Sequence, residues 1–349
     1  MINTLRNFHP QTLRLIALAV VLVLVVVFFS TQIDNYFSAR MLNRIATSAA
    51  VILPIAVGQS LVIMTRNIDL SVGSAVGVVA YVLGSFLATH ADLNPALVFL
   101  LAAVIGGFFG SINGVLVAYG RVPSIIATLG TLALYRTFLV EYSNARTITT
   151  DSLPKWLIDL PQKSLFSIGN FEVRAIVVIA LVTATVFGLA LSRLRVARKL
   201  YAVGSNPDAA VMAGINSARV VFTAFVLSGV LAGVAGFIFL AMFGNITVVA
   251  GLGFELKSVA AVVVGGVNIF GGSGSIIGVV LGTVLVDTID NSLTRWAIVS
   301  EFWRDALLGI LIMLSVTADT IMTRSFTRLG RKKTLSPEMR QVPAPVAKK

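Results

Sequence analysis

The stretch GSNPDAAVMAGI, residues 204–215, is a short polar island between long apolar runs, with basic residues on both sides. Its letters predict a short helix outside a membrane. Asn206 suits the N-cap, the proline after it suits the first helical position, and Asp208 is favourable in the first turn. Gly214 can end the helix after about two turns. Such a helix indicates a docking point for a soluble partner. The alternative is an ordinary connecting loop.

Composition around the island places the chain in a membrane. Of its 349 residues, 57% are hydrophobic and 12% are charged, and the mean hydropathy is +0.93. A water-soluble protein of this length could not bury so much apolar surface. The chain has no cysteine and two histidines. We therefore expect no disulfide, no thiolate or histidine metal site and no cysteine nucleophile.

Apolar segments of spanning length recur along the chain and predict an all-α polytopic membrane protein with about ten transmembrane helices. The eighth segment is too short to cross alone, so we expect it to be tilted, broken or re-entrant. Residues 1–323 form the predicted transmembrane domain, with the island helix at about 206–214, and the basic tail 324–349 is predicted to be disordered. The segments are 13–29, 46–64, 72–88, 95–119, 122–140, 173–191, 219–243, 256–267, 275–289 and 305–321.

The distribution of Lys and Arg predicts the orientation. The net charge is +12, and it is concentrated in residues 193–219 and in the tail. Residues 141–172 and 287–305 instead have more acids than bases. By the positive-inside rule, the island and both termini are cytoplasmic and the two acidic loops face the other side. The basic excess also attracts anionic membrane lipid. Nucleic-acid binding is not expected, because no soluble basic domain is present.

Two glycine stripes with GxxxGxxxG spacing lie in the fourth segment and at the start of the ninth. Each follows a segment that opens with an acid and a leucine. By the predicted crossing count the two units run in opposite directions, as in the inverted repeats of transporters. Close helix packing alone would also explain the spacing. The stripes are Gly106, Gly110 and Gly114, and Gly274, Gly278 and Gly282.

Polar residues collect at the edges of two segments. Charge near hydrocarbon is costly, so these residues either pair structurally or line a translocation pathway. Arg66 could neutralise Asp69, and Asp69 or Ser71 could cap the following helix. The glycine-rich run 265–275 is not a phosphate loop, because no lysine in the chain follows a glycine. The candidate pathway residues are Asn67, Asp69, Ser71, Glu255 and Lys257.

Four motifs together resemble the permease family of bacterial monosaccharide ABC importers, which includes the ribose, xylose and arabinose systems. The resemblance covers about residues 40–320, in order and with matching spacing. Arg66-Asn67 replaces the glycine that ribose-type permeases have there, and this is more similar to the rhamnose and autoinducer-2 branch. The motifs are TRNIDLSVGS (65–74), ATLGTLALYR (127–136), YAVGSNPDAAVMAGI (201–215) and ELKSVAAVVVGGVNIFGGSGSIIG (255–278).

The resemblance implies a transport subunit in a multi-chain importer of the inner membrane, not an enzyme. This chain would hold no cofactor, and ATP would bind to a separate pair of cytoplasmic ATPase subunits. A second permease subunit would complete the pathway, and a periplasmic binding protein would deliver a monosaccharide such as rhamnose, or autoinducer-2. The small face of the island helix, Ala209, Ala210 and Ala213, would dock on the ATPase. The full coupling set is Asn206, Asp208, Ala209, Ala210, Ala213 and Gly214.

Three other classes of protein remain as alternatives. An ion-coupled secondary sugar transporter would carry buried acids or histidines along several spans, whereas the middles of these segments are almost free of charge. A membrane-embedded enzyme would need clustered catalytic side chains. A channel would show a repeated polar filter.

Overall fold

The computed structural model describes residues 10–169, 171–296, 303 and 306–317. The predicted tail and the end of the tenth segment lie outside this part of the chain. The helices are α1 (Pro10–Gln32), α2 (Ala39–Met64), α3 (Val72–Leu87), α4 (Pro95–Gly114), α5 (Ser124–Ser143), α6 (Lys155–Asp159), α7 (Ala175–Arg193), α8 (Arg195–Ser205), α9 (Pro207–Met212), α10 (Ser217–Phe243), α11 (Phe254–Val264), α12 (Ile276–Trp296) and α13 (Ala306–Thr317). A π-helical turn, Val115–Tyr119, extends α4, and a 3-10 turn, Thr150–Ser152, precedes α6.

Each of the ten predicted apolar segments contains a helix. Seven helices in the described part are long and apolar enough to cross a membrane, and α3 and α13 are shorter apolar helices. Strands β1 (Ser164–Ile168) and β2 (Phe171–Arg174) form one antiparallel hairpin. The predicted all-α polytopic fold is therefore confirmed. We call the end of the bundle that carries α8 and α9 the basic end, and the opposite end the hairpin end.

The polar island folds as predicted. The Asn206 side chain caps α9 by accepting from Ala209 N at 3.0 Å, and proline occupies the first helical position. Gly214 follows the helix with φ +76°, a left-handed conformation that favours glycine. Two short helices, α8 and α9, thus lie between the long helices α7 and α10.

Between α2 and α3 the chain turns back into the bundle. The Gln59 side-chain amide lies about one and a half turns before the end of α2. It donates to Asp69 O and accepts from Asp69 N, both at 3.2 Å. The carbonyl of the preceding residue, Ile68 O, accepts from Thr128 Oγ1 of α5 at 3.3 Å. Residues 65–71 are therefore an irregular re-entrant segment, and α3 begins inside the bundle.

A second re-entrant segment joins α10 to α11. Ile246 pairs with Ile148 near the hairpin end, whereas the Ala250 carbonyl lies against Gly77 of α3. With 11 residues, α11 is about 16 Å long, roughly half of a bilayer core. Residues 244–253 and α11 thus form one broken crossing, which confirms the expectation for the eighth segment.

Glycine allows the central helices α4 and α10 to touch backbone to backbone. A Cβ atom on Gly106 or Gly110 would clash with the backbone of Gly229. In the second stripe, Gly278 and Gly282 pack in the same way on the backbone at the end of α11, and Gly274 packs against the side chains of Met64 and Val267. Close packing therefore accounts for both stripes. The inverted repeat stays a prediction, and it is favoured because α3 and α11 both begin inside the bundle and run in opposite directions.

Candidate functional site

A buried polar network surrounds the start of α3. Asp69 and Ser71 are 2% and 1% exposed, so neither side chain reaches an open surface in this conformation. Asp69 Oδ1 accepts from Ser71 N at 2.9 Å and from Ser71 Oγ at 2.7 Å. Asn113 of α4 donates to Ser71 Oγ at 2.7 Å and accepts from Thr131 Oγ1 of α5 at 2.7 Å. This network ties the first turn of α3 to two neighbouring helices.

The structure corrects two expectations for the first re-entrant segment. Arg66 does not neutralise Asp69; instead it donates to Gly204 O and Ser205 O at the end of α8, both at 2.5 Å. Neither side chain makes the expected cap: Asp69 Oδ1 accepts from Ser71 and Asn113, and the N-cap residue Ser71 makes no side-chain cap bond. Asn67 donates to Thr65 O at 2.9 Å, within its own turn. Arg66 therefore joins the re-entrant segment to the island.

The two broken crossings meet in the middle of the bundle. A Cβ atom on Gly73, in the first turn of α3, would clash with the Glu255 carboxylate and with Gly251 O. Glu255 Oε1 also accepts from Gly253 N at 3.2 Å, just before α11. The predicted pathway residues Asp69, Ser71 and Glu255 therefore lie around the two helix starts.

Arg136 of α5 holds the second re-entrant segment, and sequence analysis did not single it out. Its Nη1 donates to Val248 O at 2.9 Å and to Ala250 O at 2.7 Å. Carbonyls outside a helix need partners when they lie at membrane depth, and this guanidinium supplies them. The available signal was a lone arginine within an otherwise apolar segment.

Lys257 is ion-paired inside the bundle. Its Nζ lies 2.7 Å from Asp287 Oδ1 and 2.8 Å from Asp290 Oδ2, both on α12. Asp287 is fully buried and also accepts from Ser48 Oγ at 2.8 Å. This corrects the predicted loop 287–305, because α12 continues to Trp296. It also corrects the expectation that the spans are almost free of charge. Of the two roles considered for Lys257, structural pairing and lining of a pathway, the geometry fits structural pairing.

The exposed face of α9 differs from the predicted one. Ala210 is 4% exposed, so its side chain packs against the chain itself and is not available for docking. Ala209 and Ala213 are exposed, and Met212, 90% exposed, is the most prominent apolar side chain beside them. The expectation of one small face that includes Ala210 is therefore wrong, because the six-residue helix turns that position inward.

Two further contacts anchor the basic end. Tyr201 of α8 donates to Gly274 O at 3.2 Å, and Gly272 N donates to Met64 O at 3.0 Å. Burial raises the pKa of the Tyr201 phenol, and this favours the protonated form that donates the bond. The helix α8, which leads into the island, is thus fixed to the glycine-rich segment 265–275, and that segment is fixed to α2.

Broken helices that meet inside a multi-pass bundle, together with an exposed helix at one end, are typical of a membrane transport protein. The family model described as branched-chain amino acid transport system / permease component matches residues 41–316. The chain belongs to this family of permeases.

The sequence matches curated relatives along most of their length. The chain is 36% identical over 307 residues to the "Autoinducer 2 import system permease protein LsrC" of Escherichia coli O9:H4 (strain HS), which covers 86% of this chain and 85% of the relative. It is 35% identical to the protein of that name from Salmonella typhi, with coverage of 82% and 80%. It is 36% identical to the protein of that name from Yersinia enterocolitica, with coverage of 80% of this chain and 75% of the relative. No solved structure matches significantly. The predicted resemblance to importer permeases of the autoinducer-2 branch is confirmed.

Proposed function

We propose that this permease carries autoinducer 2, or a monosaccharide such as rhamnose, through the inner membrane as part of an ATP-driven importer. Relatives with 35–36% identity are named as autoinducer 2 import permeases, and this supports the choice of substrate. The ATP would be bound and hydrolysed by separate subunits.

One observation supports the coupling mechanism above all others. The guanidinium of Arg66 connects Gly204 O and Ser205 O, next to α9, with the re-entrant segment 65–71. A partner that moves α9 would therefore pull on the start of α3, where the two broken crossings meet. Switching between two accessible states needs such a connection between the energy source and the pathway.

The partners follow from the two ends of the bundle. ATPase subunits would dock on the exposed side chains of α9 at the basic, cytoplasmic end. A periplasmic binding protein would deliver the substrate at the hairpin end, and a second permease subunit would complete the pathway. Cysteine substitutions in this cysteine-free chain test the orientation. An impermeant thiol reagent should label His90→Cys in intact cells and should not label Asn206→Cys; the reverse result would overturn it.

An ion-coupled mechanism deserves a direct comparison because Lys257 and Asp287 place charge inside the bundle. The two are paired to each other, which suits a structural role, and family membership favours an ATP-driven importer. Ionophores that dissipate proton and sodium gradients should therefore leave ATP-dependent uptake intact.

The decisive experiment reconstitutes the chain in proteoliposomes with its ATPase and its binding protein. We expect ATP-dependent uptake of autoinducer 2 to exceed that of rhamnose and ribose. Uptake of rhamnose alone would show that the substrate is rhamnose and not autoinducer 2. Uptake without ATP, or abolished by ionophores, would overturn the proposal.

A further inference from the structure

A cavity of about 380 Å³ opens at the basic end between α7, α8 and the start of α10. Its interior is apolar and includes Phe187, Leu191 and Leu227, whereas Lys199 and Arg219 line it at the mouth. The cavity is separate from the polar network around α3 and from the Lys257 ion pairs. Its combination of an apolar interior with two cations points to an amphiphilic anion.

The depth of the cavity indicates that the occupant comes from the bilayer. Leu227 lies eight residues after Arg219 on α10, about 12 Å farther along the helix axis. Phe187 lies six residues before Arg193, the last residue of α7, about 9 Å into that helix. The cavity thus runs along the spans into hydrocarbon depth. An acyl chain reaches this depth, whereas a soluble partner that docks on α9 does not.

The mouth of the cavity carries unbalanced positive charge. Lys199 and Arg219 are exposed, and neither forms a salt bridge with the residues that the structure describes. Residues 193–219 contain five basic side chains and a single acid, Asp208. Basic pockets between helices at this membrane surface suit anionic headgroups, because each Lys or Arg near the surface attracts anionic lipid.

We propose that the cavity binds one anionic phospholipid, with its phosphate between Lys199 and Arg219 and an acyl chain along Phe187 and Leu227. Gly214 and Asn216 also line the cavity, and they form the connection from α9 to α10. A bound lipid therefore contacts the root of the docking helix and restrains its movement. This makes the lipid composition of the membrane a regulator of coupling.

Native mass spectrometry of the full-length chain, purified in detergent with added phosphatidylglycerol, tests the site. Phosphatidylglycerol should stay bound at one copy per chain, and phosphatidylcholine should not. The double variant Lys199→Gln/Arg219→Gln should lower retention roughly tenfold or more. The matched control is Arg193→Gln/Arg195→Gln, which removes the same charge from the same segment but does not touch the cavity, and it should retain the lipid.

A second variant tests the apolar part without a change of charge. Ala190 lines the cavity, so Ala190→Phe should fill it and reduce retention while the chain still inserts and purifies. Equal loss in the Arg193/Arg195 control would overturn the proposal in favour of diffuse surface attraction. Equal binding of phosphatidylcholine would show an apolar groove without a headgroup site. Dimers in place of lipid adducts would show that a second copy of the chain occupies the cavity.

Discussion

Arg136 and Ala250 are joined by a 2.7 Å hydrogen bond from a guanidinium nitrogen to a backbone carbonyl. The same nitrogen donates to Val248 O at 2.9 Å. A side chain of α5 therefore holds the irregular segment 244–253 in place by satisfying two of its carbonyls, those of Val248 and Ala250.

Replacing this arginine should loosen the segment. Hydrogen bonds to charged groups contribute about 1.5–3 kcal/mol each, so Arg136→Gln should lower the free energy of unfolding by an amount of this order and reduce uptake. Arg136→Lys keeps the charge but lacks the fork of donors. Its stability and uptake should therefore lie between those of the unchanged protein and those of Arg136→Gln. Thermal unfolding in detergent and uptake by proteoliposomes measure these effects. Arg146→Gln, in an exposed loop, is the control, and equal behaviour of both Gln variants would contradict the prediction.

The buried carboxylate of Asp69 gives a separate prediction. Asp69→Ala removes the acceptor for Ser71 and leaves buried donors without a partner, at about 1–3 kcal/mol. Asp69→Asn has nearly the same shape, keeps one acceptor oxygen and mainly removes the charge, so it should fold while transporting less than Asp159→Asn, which changes an exposed acid. Uptake normalised to the amount of inserted protein is the measurement. If the two Asn variants transport alike, the charge of Asp69 has no special role.

Lys257→Met should be among the most destabilising single changes. It leaves the buried Asp287 without its cation, and breaking a buried pair costs about 3–5 kcal/mol. The double variant Lys257→Met/Asp287→Asn should recover part of this loss. Lys155→Met, at an exposed lysine, serves as the control in thermal unfolding. A Lys257→Met protein as stable as this control would show that the ion pairs contribute nothing.

Glycine contacts between α4 and α10 predict a sharp contrast between two similar substitutions. In Gly110→Ala the new Cβ atom meets the backbone of Phe225 and Gly229, so the helices must separate. In Gly130→Ala no atom lies within 4 Å of the new Cβ, and the better helix propensity should stabilise the protein by up to about 1 kcal/mol. Opposite shifts in melting temperature are the expected result. Two similar shifts would mean that the close contact is not maintained.

The coupling proposal predicts that α9 variants separate ATP hydrolysis from assembly of the membrane domain. Met212→Glu places a charge on the side chain that is 90% exposed, so it should reduce co-purification of the ATPase and substrate-stimulated hydrolysis. Leu165→Glu, on an exposed apolar residue at the hairpin end, should leave co-purification of the ATPase unchanged, because the ATPase docks at the opposite end. Normal coupling in Met212→Glu and in Gly214→Val would make α9 a plain connector.

Local patterns allowed much of the fold to be predicted from the sequence. Apolar segments gave the helices, and Asn206, Pro207 and Gly214 gave the bounds of α9, because capping depends on neighbours in the chain. The eighth segment indicated a broken crossing because it is too short to cross a bilayer, and segment length is also read directly from the sequence.

Contacts between distant residues could not be predicted in this way. From the sequence, Asp287 is predicted to lie at the polar end of a span. Its ion pair with Lys257, 30 residues earlier, is apparent only in the structure. Arg66 stands near Asp69 in the sequence, yet its partners are Gly204 and Ser205. Ala210 is exposed or buried depending on how α9 lies against the bundle, which its own six residues do not determine.

The glycine contacts of α4 and α10 also constrain how this protein can move. Where Gly106 and Gly110 meet Gly229, two backbones touch with no intervening side chain whose rotation could absorb a shift. If one helix slid past the other, carbonyl oxygens would clash with α-carbons. The pair therefore behaves as a single rigid unit. Motion during a transport cycle must then be carried by the parts that adjoin this rigid pair, which are the two re-entrant segments and the helices α3 and α11 that follow them.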